Sequence, residues 1–113
     1  MEARATSKYL RVSPQKARLV VDLIRGKGAG EALSILRFTK KRVSAEVAKI
    51  LHSAISNAEQ KSEKLDVDRL VVTEAYVNEG PRAKRIRPAP MGRAFHYQRR
   101  MSHITLVVEE REG

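Results

Sequence analysis

Cysteine is absent from this chain, which excludes a disulfide framework and any metal site built on thiolates. Nothing in the composition therefore requires an oxidising compartment. Long hydrophobic runs are also missing, since the longest apolar stretch is far shorter than a bilayer span. The first ten residues, MEARATSKYL, lack the apolar centre of a secretion signal. These absences predict a soluble, intracellular protein that makes no contact with a membrane.

Acidic residues are scarce, because 13 Asp and Glu stand against 23 Lys and Arg, for a formal net charge of +10. A charge balance of this size acts on partners and solubility more than on the fold. It makes nucleic acid the leading class of partner. The length of 113 residues fits one domain, residues 1–113, with a modest core.

Catalytic and metal-binding motifs are missing as well. The histidines are widely spaced along the chain, at His52, His96 and His103, and no HExxH or carboxylate cluster accompanies them. There is no GxSxG, P-loop or GxGxxG, and GKGAG (Gly26 to Gly30) lacks the preceding strand that a phosphate loop requires. We expect no enzyme activity, no cofactor, no metal and no small-molecule substrate.

Helical patterns fill the first half of the chain. In SPQKARLVVDLIRGKG, Ser13 can cap free amides, Pro14 suits the first helical position and Gly26 suits a left-handed stop. These signals predict a helix from about Pro14 to Arg25. GAGEALSILRF predicts a short second helix. The third helix is predicted in VSAEVAKILHSAISNAEQ by its apolar stripe, which consists of Val43, Val47, Ile50, Leu51, Ala54, Ile55 and Ala58.

Strand patterns dominate the second half. β-branched runs of period two lie at Leu70 to Val77 and Ile104 to Val108, within the strand candidates Asp66 to Glu79 and Ser102 to Glu110. A looser alternation in the first ten residues predicts an edge strand. Helices followed by antiparallel strands predict an α+β fold with the helices packed on one face of a sheet.

A basic insertion separates the two strand candidates. PRAKRIRPAPMGRAFHYQRR, Pro81 to Arg100, contains seven Lys or Arg among twenty residues and no acidic residue. A structureless loop of about twenty residues is uncommon in a compact domain, whereas a hairpin with about ten residues per arm would reach roughly 30 Å. Pro88 and Pro90 cannot donate to a ladder and Gly92 loosens the chain, so this hairpin would be marginally stable in water.

An outside partner is therefore needed to order the insertion, and a polyanion fits best. Phosphates would relieve the repulsion between like charges, and arginine can bind phosphate oxygens in bidentate fashion. Phe95, His96 and Tyr97 add planar faces of the kind that RNA contacts use. A disordered basic loop that only aids solubility is the alternative.

Other cations cluster at the helix ends. They flank the first helix start, follow its end and precede the third helix, at Arg11, Lys16, Arg18, Arg25, Lys27, Lys40, Lys41 and Arg42. Each cluster alone is typical of a solvated face. Together they indicate several contact surfaces for nucleic acid.

Three segments resemble the family of bacterial large-subunit ribosomal protein twenty-two, and the resemblance covers nearly the whole chain. They are SPQKARLVVDLIRGK (Ser13 to Lys27), AYVNEGP (Ala75 to Pro81) and MGRAFHYQRRMSHITLVV (Met91 to Val108). The last segment is the most specific, because Gly-Arg is followed at a fixed distance by His-Ile-Thr and an apolar strand. The resemblance implies three helices on a three-stranded antiparallel sheet, with a long protruding β-hairpin at residues 80–101.

The resemblance also implies a function. The protein would be a structural constituent of the large ribosomal subunit in the cytoplasm, binding large-subunit (23S) ribosomal RNA and supporting early assembly. Its globular part would lie near the polypeptide exit, beside neighbouring large-subunit proteins. Its hairpin would line the exit tunnel, meet the nascent polypeptide transiently and influence macrolide sensitivity.

Site residues follow by position in the family pattern and from the basic clusters. The expected RNA-binding residues are Arg11, Ser13, Pro14, Lys16, Arg18, Arg25, Lys27, Lys40, Lys41, Arg42, Arg82, Lys84, Arg85, Arg87, Arg93, Arg99 and Arg100. The expected tunnel-lining tip is Arg87, Pro88, Ala89, Pro90, Met91, Gly92 and Arg93. Where the family commonly has Arg-Pro-Arg-Ala-x-Gly-Arg, this chain has lost the second arginine, at Ala89, and gained a proline at position 90.

Two other functions fit the charge. A non-ribosomal DNA- or RNA-binding protein would be equally basic, but would bind duplex DNA as well as structured RNA. A basic membrane-associated protein would need cations along the rim of an amphipathic helix. The third helix carries only Lys49 in its middle turns, which disfavours a membrane role.

Overall fold

A computed structural model of the protein describes residues 2–62, 64–80, 83–88 and 94–111, and within 83–88 and 94–99 it describes the backbone. The elements in chain order are β1 (Glu2–Leu10), α1 (Pro14–Ile24), α2 (Ala29–Phe38), α3 (Arg42–Lys61), β2 (Leu70–Glu79), β3 (Ala83–Pro88), β4 (Ala94–Arg99) and β5 (Ser102–Glu110). The predicted α+β class, with three helices and an antiparallel sheet, is confirmed.

The main sheet has the strand order β1–β5–β2, with both pairs antiparallel. The last strand therefore lies in the centre, and Leu106 faces Ala5 on one side and Ala75 on the other. β5 is buried from Ser102 to Val108 apart from His103, as expected of a central strand. The N-terminal edge strand predicted from the loose alternation is confirmed as β1.

One hydrophobic core lies between the helices and one face of this sheet. The α3 stripe is buried as predicted, and Ala17, Val20, Val21 and Ile24 form the buried face of α1. They pack in a single cluster with sheet residues that include Leu70, Val72, Ile104, Leu106 and Val108. The helical period of the apolar residues thus places all three helices on the same side.

Helix α1 begins and ends at the predicted signals. The Ser13 side-chain oxygen accepts a hydrogen bond from the Lys16 amide at 3.3 Å, and Pro14 occupies the first turn. Gly26 adopts the left-handed conformation with φ 81°, which a side chain would oppose. The helix ends at Ile24, one residue before the predicted end, because Arg25 already has extended backbone angles (φ −63°, ψ 128°).

The strand candidate that began at Asp66 is wrong in its first four residues. Val67–Arg69 forms a short 3-10 helix, and β2 begins at Leu70. The Asp66 carboxylate accepts the Asp68 amide at 3.1 Å, and the Arg69 amide donates to the Asp66 carbonyl at 3.0 Å. This local capping competes with the extended conformation, as Asp often does at turns.

Strands β3 and β4 form a separate antiparallel hairpin, paired from Ala83↔Arg99 to Pro88↔Ala94. At its base the Gly80 amide donates to the Met101 carbonyl at 2.8 Å. The molecule measures 66 × 26 × 16 Å. Its radius of gyration of 17.4 Å exceeds the roughly 13 Å expected for a compact chain of this length. The predicted hairpin is therefore present.

Helix side chains and a turn cover the outer edges of the main sheet. On β1, the Asn57 side chain donates to the Arg4 carbonyl and Lys61 donates to the Glu2 carbonyl, both at 2.9 Å. On β2, Val72 exchanges backbone hydrogen bonds with the α1–α2 turn, accepting from Gly26 at 2.8 Å and donating to Lys27 at 2.9 Å. The sheet is thereby held between α3 and that turn.

Candidate nucleic-acid interface

A basic groove forms where the starts of α1 and α3 meet. We define this basic groove by its cations Arg11, Lys16, Lys41 and Arg42, which line it together with Ser13. All four cations are exposed. The fold thus joins two clusters that are far apart in the sequence.

Buried serines hold the two helix starts in place. The Ser102 hydroxyl, at the first position of β5, donates to the Val12 carbonyl at 2.7 Å and so ties the β1–α1 connection to the sheet. Ser44 donates from its hydroxyl to the carbonyls of Thr39 and Lys41, which fixes the α2–α3 connection. The cations of the groove are therefore carried on backbone that is anchored to the core.

The groove has a strongly positive electrostatic character. Within the described residues, none of its four cations has a carboxylate within ion-pair distance. The ion pairs found there involve other cations, in Arg25–Asp22, Lys49–Glu46 and Arg69–Asp66. Helix α3 also begins without a side-chain cap and without an acidic residue in its first turn. Its positive end therefore adds to the attraction for an anion.

Part of the lining of the groove is apolar. Val12, Val43 and Leu19 line a cavity of about 600 Å³ with the cations. A second cavity of about 540 Å³ shares Arg11, Val12, Arg42 and Val43 with the first and extends to Tyr9 and Glu46. Cavities of roughly 300–1,000 Å³ accommodate small ligands. The groove can therefore hold a nucleotide-sized group against apolar side chains with cations at its rim.

Two of the residues predicted to contact RNA also form hydrogen bonds within the protein. The Arg18 guanidinium donates to the Val77 carbonyl at 3.1 Å, and Arg25 donates through two nitrogens to the Ala75 carbonyl. Both carbonyls lie on the outer edge of β2. A guanidinium has five N–H donors, so each arginine keeps donors for a further partner.

The remaining predicted residues lie outside the basic groove. Lys27, Lys40 and Arg100 are exposed in connections between elements, and Pro14 is buried at the start of α1. Strand β3 contains the predicted residues Lys84, Arg85, Arg87 and Pro88, and β4 contains Arg99. Arg82, Ala89, Pro90, Met91, Gly92 and Arg93 lie outside the described residues.

Sequence reasoning missed Leu19, which lines the basic groove, and Tyr9, which lines the second cavity. Tyr9 is 60% exposed and Leu19 is 55% exposed, so neither serves the core. The sequence did contain a signal for Tyr9. This aromatic residue lies between Lys8 and Arg11, and the same mixture of rings and cations marked the insertion as a nucleic-acid contact. Leu19 gave no such signal, because it is an apolar residue next to the core positions Val20 and Val21 of α1.

Other chemistry finds no site in the part of the chain that the structure describes. No group of three or more His, Asp or Glu side chains there is arranged to hold a metal ion. His52 is exposed on α3, and His103 accepts a hydrogen bond from the Tyr9 amide. No helix among the described residues combines the length and apolar character needed to cross a bilayer.

Comparison with known proteins identifies the family of the chain. The family model of ribosomal protein L22p/L17e matches residues 5–109. The large ribosomal subunit protein uL22 of Solibacter usitatus is 63% identical over 113 residues, which cover all of both chains. Its counterpart in Koribacter versatilis is 54% identical, over all of this chain and 70% of the relative. That of Clostridium novyi is 51% identical, over 98% of this chain and 99% of the relative. The chain therefore belongs to the ribosomal protein L22p/L17e family, and it is a structural component of the large ribosomal subunit and not an enzyme.

Proposed function

We propose that this chain binds the large-subunit ribosomal RNA through two surfaces, the basic groove and the hairpin of residues 80–101. The observation that carries this proposal is the meeting of Arg11, Lys16, Lys41 and Arg42 around one groove, with no carboxylate of the described residues within ion-pair distance of them. Positive charge that no described carboxylate neutralises attracts phosphate, and the counterions released from the RNA add to the affinity.

The hairpin carries the second part of the proposal. Residues 1–113 act as one domain, and the hairpin extends from it into the ribosome, where it lines the tunnel with the tip residues Arg87 to Arg93. The elongated shape and the separate pairing of β3 with β4 support an arm that reaches away from the main sheet. In this position it meets the nascent polypeptide, and changes in its tip alter macrolide sensitivity.

The two surfaces together suit a role in early assembly. A body that binds RNA at its groove and an arm that binds RNA further away can hold separate RNA segments in one arrangement. Neighbouring large-subunit proteins then pack around the body near the polypeptide exit. The remaining predicted RNA contacts, on Lys27, Lys40 and Arg100, lie on exposed connections that remain open to such partners.

Paired double variants test the groove. Lys41→Gln with Arg42→Gln removes two groove cations, whereas Lys64→Gln with Arg111→Gln removes the same charge from exposed positions outside it. Filter binding to large-subunit ribosomal RNA over a range of salt should show a slope lowered by about 1.5 for the groove variant. The control variant should keep the wild-type slope. Equal losses in both variants would contradict a role for the groove.

Sedimentation of cell extract tests the wider role. The protein should travel with the large subunit in a sucrose gradient and remain there at moderate salt, because several phosphate contacts act together. A protein found in the free pool, or with DNA, would contradict the proposal.

A further inference from the structure

Tyr9 lies in an unusual position at the end of β1. The register between β1 and β5 shifts between Ser7 and Leu10, so that Lys8 and Tyr9 together face His103. Tyr9 has φ 61°, in the left-handed region, and is the one residue other than glycine with a positive φ among those the structure describes. Bulges of this kind redirect a side chain away from the ordinary alternation of a strand.

His103 holds Tyr9 in this conformation. The Tyr9 amide donates to His103 Nδ1 at 3.0 Å, and the two rings meet in a T-shaped contact with centroids 4.9 Å apart. The imidazole is confined on another side by Gly80, where an added Cβ would lie 3.2 Å from His103 Cε1. The tyrosine ring is therefore positioned by a residue that is itself packed at the base of the hairpin.

The Tyr9 ring lines the second cavity described above and is not part of the core. Tyr9 is 60% exposed and lines this cavity with Arg11 and Arg42. Glu46, the one acidic residue in the same cavity, is paired with Lys49 at 3.6 Å. An exposed aromatic residue that shares a cavity with two arginines, neither paired with a described carboxylate, matches the arrangement that binds unpaired bases, which stack on the ring while cations bind the flanking phosphates.

We propose that Tyr9 is a stacking residue for an unpaired base of the ribosomal RNA, with Arg11 and Arg42 binding the phosphates beside that base. This inference rests on the proposed function and names the kind of nucleotide that the groove takes. The unneutralised charge of the cavity favours a polyanion over a protein segment as the occupant.

A tryptophan placed at this position reports stacking directly. The chain contains no tryptophan, so the Tyr9→Trp variant of the full-length protein carries a single emitting indole. Its emission should be quenched at saturation with large-subunit ribosomal RNA. A fully paired RNA duplex should bind the same variant, as followed by anisotropy of the RNA, without quenching, because it offers no unpaired base to the ring.

Two further variants distinguish the effect of the aromatic ring from the effect of apolar bulk at this position. Tyr9→Leu keeps an apolar side chain under the same backbone strain, and it should weaken binding to the ribosomal RNA by roughly 5- to 150-fold. Its salt slope should equal that of the wild type, since no phosphate contact is lost. Tyr9→Phe retains the ring and should bind within about twofold of the wild type.

The outcomes distinguish this inference from the proposed function. Binding to ribosomal RNA without tryptophan quenching, or undiminished affinity of Tyr9→Leu, overturns the stacking role while RNA binding stands. Equal weakening of Tyr9→Phe and Tyr9→Leu overturns it also, because the hydroxyl would then be the group that matters. If the wild-type protein does not bind the ribosomal RNA, both proposals fail.

Discussion

At the scale of single residues, the conformation of Tyr9 determines how its substitutions should behave. A residue other than glycine lowers the stability of the fold by about 1–2 kcal/mol when its backbone is in the left-handed region. Glycine escapes this loss but gains entropy in the unfolded chain, which costs about 0.5–1 kcal/mol. The T-shaped contact with His103 offsets part of the strain, by about 0.5–1.5 kcal/mol.

We therefore expect Tyr9→Gly to be more stable than Tyr9→Ala, by about 1 kcal/mol, since both lose the ring contact but only alanine keeps the strain. Urea unfolding of the two variants measures the difference. The opposite order would show that the backbone at this residue is not left-handed in solution.

Ser13 offers a second test at the same scale. Its side-chain oxygen accepts the Lys16 amide at the start of α1, so Ser13→Ala should lower the free energy of unfolding by about 1 kcal/mol. Ser53→Ala, on the exposed face of α3, is the control and should cause no loss, because alanine is the better helix former. Similar melting temperatures for both variants would argue against capping by Ser13.

At the scale of elements, α1 is fastened to β2 by arginines that sequence reasoning assigned only to RNA. Arg18 and Arg25 donate to carbonyls on the outer edge of β2, with which none of the described strands pairs. These bonds join residues that lie more than forty positions apart in the chain. They help to fix the end of α1 that leads into the turn beside the sheet.

A matched pair of substitutions isolates the contribution of Arg25. Arg25→Met should lower the free energy of unfolding by about 1 kcal/mol, allowing for its partial exposure. Lys27→Met removes the same charge two residues later and should change stability by no more than about 0.5 kcal/mol. The midpoints of urea unfolding give both values. Equal losses would mean that the charge, and not the hydrogen bond to Ala75, stabilises the fold.

The elements were largely predictable from sequence, but their arrangement was not. The α3 stripe and the Ser13, Pro14 and Gly26 signals are local, and a local pattern suffices to place a helix. The central position of β5 depends on pairing with strands from both ends of the chain, which no window of sequence contains. The 3-10 helix before β2 was missed because Asp66 caps it within three residues.

At the scale of the whole molecule, the fold brings together cations that lie far apart in the sequence. As a component of the large ribosomal subunit, the protein resides in the cytoplasm, in an assembly rich in phosphate. The clusters of cations were visible in the sequence, but their union in one groove was not. It depends on the core that brings Arg11 beside Arg42, and on the buried Ser102 and Ser44 that anchor their backbones.

The hairpin should contribute to binding and not to folding. Replacing Arg85, Arg87 and Arg93 by Ala should move the melting temperature of the isolated protein by no more than about 4 °C. The same variant should bind large-subunit ribosomal RNA more weakly, with a lower salt slope. Replacement of the three residues by Lys should preserve that slope. A large fall in melting temperature after replacement by Ala would show that the arm supports the fold.

The covered outer edges of the main sheet have a consequence for the newly made chain. Asn57 and Lys61 bond to carbonyls on one edge, and Arg18, Arg25 and the α1–α2 turn bond to groups on the other, so fewer carbonyls and amides of the main sheet are free to pair with a second molecule. Copies that await their place in a growing particle are therefore less prone to pair with one another through the edges of the main sheet.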